Sequence, residues 1–287
     1  MEIPREYIDN FTQVIKTLSD DAKKKLATAL ESVTADSLEE LRLEIIAIMD
    51  LILTPYTENA AAIAATFYDG LRDIQGVPKD GFYAVSEVVR DSSLTAGAVY
   101  TYTEKHPQLD DVLKKQLSKQ VGYEIKRTVN ETIADNADRD PAKPKYARVP
   151  KPTPTTYAPW SNKPGVTHNK QLAAEGTCMM CIVLASRGFV YKSREVASHA
   201  HDDCDCEIIP VWKKNTVQGY DETKSQYKSM YDTAEKAYRD GKISDDLKLQ
   251  IEEAKKRHDE RYDAGDTKTK WSDLNAILIV MRNQQGA

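Results

Sequence analysis

The chain has 287 residues, with 40 Lys+Arg against 45 Asp+Glu for a formal charge of −5, and 30% of it is charged, above the usual ~25%. At roughly 100–200 residues per domain the length allows one large domain or two smaller ones, and so polar a chain suits extended helical architecture, or a part that docks into something larger. No apolar run approaches the ~18–20 residues of a membrane span, because the nearest, residues 43–53, contains Glu44 and Asp50. The N-terminal MEIPREYIDN lacks the basic-then-apolar order of a secretory signal, and the net negative charge excludes a globally basic nucleic-acid binder. A soluble chain made in a cytoplasm is expected, with no membrane partner.

Residues 1–138 read as an all-α domain. Ile8, Phe11, Ile15, Leu18, Ala22, Leu26, Leu30 and Val33 recur at helical steps of three and four. A second helix is expected from Ser37, whose hydroxyl can cap the first turn with Glu40 three residues on, and it should stop before Pro55. An Ala-rich third helix should span about Thr57–Gly76 and a fourth Phe82–Leu94. The fifth carries Leu109, Leu113, Leu117, Val121, Ile125, Val129 and Ile133 at i, i+4 spacing, with Val112 beside them.

Residues 139–170 read as a basic, proline-rich linker. Seven of the twelve prolines lie between 141 and 164, and each fixes φ and removes a backbone donor, so the stretch should run extended. Charge is segmented accordingly. Residues 1–138 carry 15 basic and 24 acidic side chains, residues 139–170 seven and one, residues 171–212 three and six, and residues 213–287 fifteen and fourteen. The linker, with Tyr146, Tyr157 and Trp160 interleaved, could contact nucleic-acid phosphates and bases. Its simpler reading is a solvated or intramolecular arm.

Residues 171–212 hold all four cysteines, as Cys178-x-x-Cys181, then a stretch ending HAHDD, then Cys204-Asp205-Cys206. Zinc takes four Cys and His ligands, and a C-x-x-C turn offers two thiolates to one ion. Cys178, Cys181, His201, Cys204 and Cys206 are therefore five candidates for four places on a structural Zn2+, with His199 a weaker sixth. A metal would also stabilise a segment too short to build much core. Disulfides, a redox C-x-x-C and a catalytic metal are the alternatives. Glu207–Trp212 (EIIPVW) and Gly188–Tyr191 each look like a short strand beside this cluster. Residues 213–287 return to helix. Tyr220, Tyr227, Tyr231 and Tyr238 share one face, Gly241 is a break with Ser244 or Asp245 as the next cap, and a short helix covers Trp271–Arg282.

Four blocks then resemble one family: RVP (148–150), TCMMC (177–181), LASRGFVY (184–191) and HDDCDCEIIPVW (201–212). They are similar to the phage Mu F-like minor head proteins of tailed bacteriophages, in the version common in phages of Actinobacteria. The closing DLNAILIVMR (273–282) resembles that family's C-terminal helix. The resemblance implies a mainly α virion protein, few per head. It would act near the portal in head morphogenesis, DNA packaging or ejection, through the portal protein and the major capsid or scaffold protein, with packaged DNA a further candidate. The family label sometimes reads capsid maturation protease. A protease or metal-dependent nuclease is thus the enzymatic alternative, and a DNA-binding virion protein the third, although the residues themselves supply no catalytic constellation.

Overall fold

The computed structural model describes residues 2–86, 90–149, 179–188, 206–212, 217–263 and 270–284. The chain divides into two compact units, residues 1–149 with 189–218, and residues 150–188 with 219–287.

The first unit is a helical body carrying a two-stranded ribbon. Helix α1 (Arg5–Leu30) buries Ile8, Phe11, Ile15, Ala22, Leu26 and Leu30, and Phe11 stacks on Phe67 of the next helix. Helix α2 (Leu38–Ile74) starts where the sequence indicates, with the Glu40 N–H donating to Ser37 Oγ at 3.2 Å. The Glu40 carboxylate reaches back to the Asp36 N–H rather than to Ser37 itself, a shifted form of the capping box.

Helix α2 does not stop before Pro55; the second and third helices expected from the sequence are one, with Pro55 inside it. An interior proline removes one ladder hydrogen bond and costs about 3 kcal/mol. Here its ring is on the exposed side, while Ile52, Leu53, Tyr56, Thr57, Ala60 and Ala61 around it are buried, and packing of that face outweighs the local penalty.

The expected helix at Phe82–Leu94 is also absent as such. Residues 82–86 are irregular, Glu87–Val89 lie outside the described residues, and helix α3 runs Ser92–Lys105 behind an Asp91 cap. Side chains meet the backbone needs of 82–86. The Ala84 N–H donates to Asp69 Oδ1, and Asn136 exchanges two 2.8 Å hydrogen bonds with the N–H and C=O of Val85. An amide paired in this way holds an extended segment as a strand neighbour would.

Helix α4 (Asp111–Arg139) carries the i, i+4 row as expected: Leu113, Leu117, Val121, Ile125, Val129 and Ile133 are all fully buried. Val112 is 48% exposed and Leu109 precedes the helix. Helix α4 packs against α1 and α2, so it also buries Gln120, Glu124, Lys126, Thr128, Asn130, Thr132 and Asn136. Strand β1 (Lys145–Val149) pairs antiparallel with β2 (Glu207–Val211), from Lys145 opposite Val211 to Val149 opposite Glu207. EIIPVW is thus a strand through Val211. Its partner among the described residues is KYARV from the proline-rich stretch; of the other expected strand, Gly188–Tyr191, residues 189–191 lie outside the described residues. Tyr146, Ala147, Arg148 and Val149 are buried, so Tyr146 and Arg148 are not placed to contact nucleic acid. Tyr157 and Trp160 lie outside the described residues.

The second unit has its own core. Helix α5 (Met179–Ser186) contributes Ile182, Val183 and Ala185, and α6 (Tyr220–Arg239) contributes Tyr227 and Ala234. Helix α7 (Asp245–Asp263), capped by Ser244 Oγ, adds Leu247 and Ile251. Helix α8 (Asp273–Gln284) supplies Ala276, Ile277, Leu278, Val280 and Met281. The tyrosine row is a packing face, since Tyr220 and Tyr227 are buried while Tyr231 and Tyr238 are partly buried against the same cluster. The Tyr220 hydroxyl donates to the Ala185 carbonyl at 2.8 Å, satisfying its polar end inside that core.

Candidate functional site

Two of the five candidate zinc ligands are among the described residues. Cys181 lies on α5 in the second unit and Cys206 immediately before β2 in the first, each buried and in no disulfide. Cys178, His201 and Cys204 lie outside the described residues, as does His199. Among the described residues no group of three or more His, Cys, Asp or Glu side chains is arranged to hold a metal.

Cys206 has a described neighbour within its own unit. Arg148, 1% exposed, donates from Nη1 to Cys206 Sγ at 3.4 Å. Strand alternation accounts for the approach. Arg148 stands opposite Ile208, and Cys206, two residues before Ile208, projects from the same face of the ribbon. On the other face, Glu207 is 1% exposed and forms a short ion pair with Lys126 of α4. Its second oxygen, Oε2, is buried with no hydrogen-bond partner among the described residues.

A buried polar seam ties this ribbon to α2 and the end of α4. Asp140, fully buried, accepts from the Tyr68 hydroxyl at 2.9 Å and from Trp212 Nε1 at 3.2 Å, and forms an ion pair with Arg72 Nε at 3.3 Å. Its other oxygen accepts from the Ala142 N–H at 2.8 Å, an Asx turn that directs the chain out of α4 toward β1. Arg72 continues to Asp80 at 3.1 Å. Burial, then the nearby Asp140 charge, pushes the Tyr68 phenol far above its usual value, so Tyr68 remains a neutral donor.

Gln75 adds a two-point clamp. Its Nε2 donates to the Pro210 carbonyl and its Oε1 accepts from the Trp212 N–H, both at 3.1 Å. Proline is tolerated in a strand where its nitrogen faces an edge, and here a side-chain amide covers that edge much as a further strand would. None of Tyr68, Arg72, Gln75 or Asp140 stood out as a candidate in the sequence. Two signals were there to be used: Asp140 is the one acid in residues 139–170, and Trp212 closes a strand-like run. The seam latches elements together, with its carboxylate and guanidinium paired and its amide committed to the backbone of Pro210 and Trp212.

Among the described residues no helix is long and apolar enough to cross a membrane. No curated protein and no solved structure matches the chain. One family model does, that of the VG15 protein, over residues 2–155 and 169–234. The match takes in α1 to α4, both strands, α5 and most of α6. The chain belongs to the VG15 protein family, a family of phage virion proteins.

Proposed function

We propose that this virion protein is a minor head protein. It would act in head morphogenesis, DNA packaging or ejection by contacting the portal protein and the major capsid or scaffold protein, without catalysis of its own. The observation that carries the reading is the family match across most of the chain. The resemblance of the blocks at 148–150, 177–181, 184–191 and 201–212 to minor head proteins supports the finer assignment.

The proposal includes a structural Zn2+ held by four of Cys178, Cys181, His201, Cys204 and Cys206, which rests on their residue types and spacing. Substituting the five one at a time and measuring bound metal by mass spectrometry tests it. Loss of zinc in four of the five variants supports the site, and a metal-free native protein contradicts it. For the head assignment, a phage deleted for residues 148–212 should yield defective heads. Normal, infectious particles from that deletion would contradict it.

A further inference from the structure

The N-terminal half of α2 leaves part of its outer face uncovered. Leu43 is 58% and Leu51 79% exposed, and Ala47 between them and Pro55 beyond them are exposed as well. Steps of four on a helix keep these residues on one side, giving an apolar stripe about 18 Å long at ~1.5 Å per residue. Single exposed leucines are ordinary, but an aligned apolar row on a helix is the form in which a partner helix is recognised.

The charges framing the row are of one sign. Glu40 and Glu44 stand at its N-terminal end and Glu58 at its C-terminal end, with Glu40 and Glu58 exposed. The one basic residue in 38–60 is Arg42. It is drawn toward α3, donating to Thr103 Oγ1 at 2.8 Å and lying over the Tyr100 ring. Asp50 is held by Arg90 at 2.7 Å.

A second copy of the chain fits poorly. Laid antiparallel it would set Glu40 and Glu44 against Glu58, and laid parallel it would set each acid against itself, both repulsive. From the stripe and its acidic frame we infer that this face of α2 docks an amphipathic helix of another virion protein, one whose leucine-like row is flanked by Lys or Arg. The inference rests on the reading of the chain as a contact-making virion component, and it names the chemistry of the partner.

The test uses the full-length protein and a fluorescent 18-residue helical peptide, with leucines at i, i+4 and i+7 and lysines flanking them. The control peptide carries glutamates in place of the lysines. The lysine peptide should bind at least tenfold tighter than the control and weaken with salt. The double variant Leu43→Glu, Leu51→Glu should lose at least tenfold in affinity while its circular dichroism melt is unchanged, because both positions are exposed. Equal binding of the two peptides, or binding unaffected by the double variant, overturns the inference.

A photo-crosslinker at position 51 in assembling heads gives an independent reading. A cross-link to a Lys/Arg-flanked helix of another head protein supports the inference. A cross-link to a second copy of this chain, to an acidic segment, or to nothing overturns it. Presence of the chain in purified particles is scored separately, so loss of the virion reading and loss of the docking face give different results.

Discussion

Replacing Asp140 with alanine removes the acceptor on which the buried seam converges. Arg72, about 6% exposed, would keep Asp80 but lose its buried partner, and the Tyr68 hydroxyl and Trp212 N–H would lose their acceptor. Removing one member of a buried ion pair costs about 3–5 kcal/mol, and each stranded neutral donor adds about 1–3 kcal/mol if water does not reach it. Arg72's remaining contact with Asp80 offsets part of this. A loss of about 4 kcal/mol is expected, a large share of the roughly 5–15 kcal/mol of a typical domain. Asp140→Asn keeps the shape and an acceptor, so it should cost about 1.5–3 kcal/mol through weaker hydrogen bonds. Asp80→Ala, at the solvent-facing end, should cost much less than either. Urea unfolding followed by circular dichroism measures the losses, and hydrogen exchange in residues 68–75 and 207–212 localises them. An Asp140→Ala protein within about 1 kcal/mol of the parent, the scale of an exposed pair, would refute the latch.

Ile125→Ala should destabilise the first unit by about 2–5 kcal/mol and Val112→Ala by less than about 0.5 kcal/mol, since the two face opposite ways on α4; equal effects in urea unfolding would contradict the assigned face. Lys126→Met leaves Glu207 buried without its cation and should cost about 3–5 kcal/mol, whereas adding Glu207→Leu should recover much of the loss; no recovery in the double variant would show that the charge is not the cause. The Leu113 N–H, the largest influence, holds the Asp110 carboxyl below the usual aspartate range. A depressed folded value means that the cap's contribution is full above the unfolded value of about 3.9 and fades as pH falls through the lower folded value. A carbonyl NMR titration should therefore place the Asp110 midpoint below about 3.9, and a midpoint at or above that value would contradict the cap.

The helical period of α1 and α4 was legible because one face of each meets a core, so burial and spacing coincide at Ile8 to Leu30 and Leu113 to Ile133. Ser37 was legible because capping is local chemistry. Pro55 misled because a local rule was applied where packing on both sides of the proline decides the outcome. The stretch at 82–86 misled for a related reason. Its apolar residues suggest a helix, but Asp69 and Asn136, both distant in sequence, supply its backbone partners. The strand at Glu207–Val211 was visible, and its partner was not, because KYARV sits in a segment whose composition reads as linker. Pairing over some sixty residues leaves no local trace. At the candidate metal site the cysteine spacing was plain in the sequence, whereas Arg148 beside Cys206 emerges only once β1 and β2 are in register. The Asp140 seam gathers residues from α2, the end of α4 and the end of β2, and no single window of sequence contains it.

The proposed place of this chain, a virion protein by family, is the phage head. Quantitative mass spectrometry of purified mature particles, with heads and tails separated, tests it most directly. The account predicts peptides of this chain in the head fraction at a small number of copies per particle, in proportion to portal protein rather than to major capsid protein. Absence from mature particles, or recovery in the tail fraction alone, would contradict it.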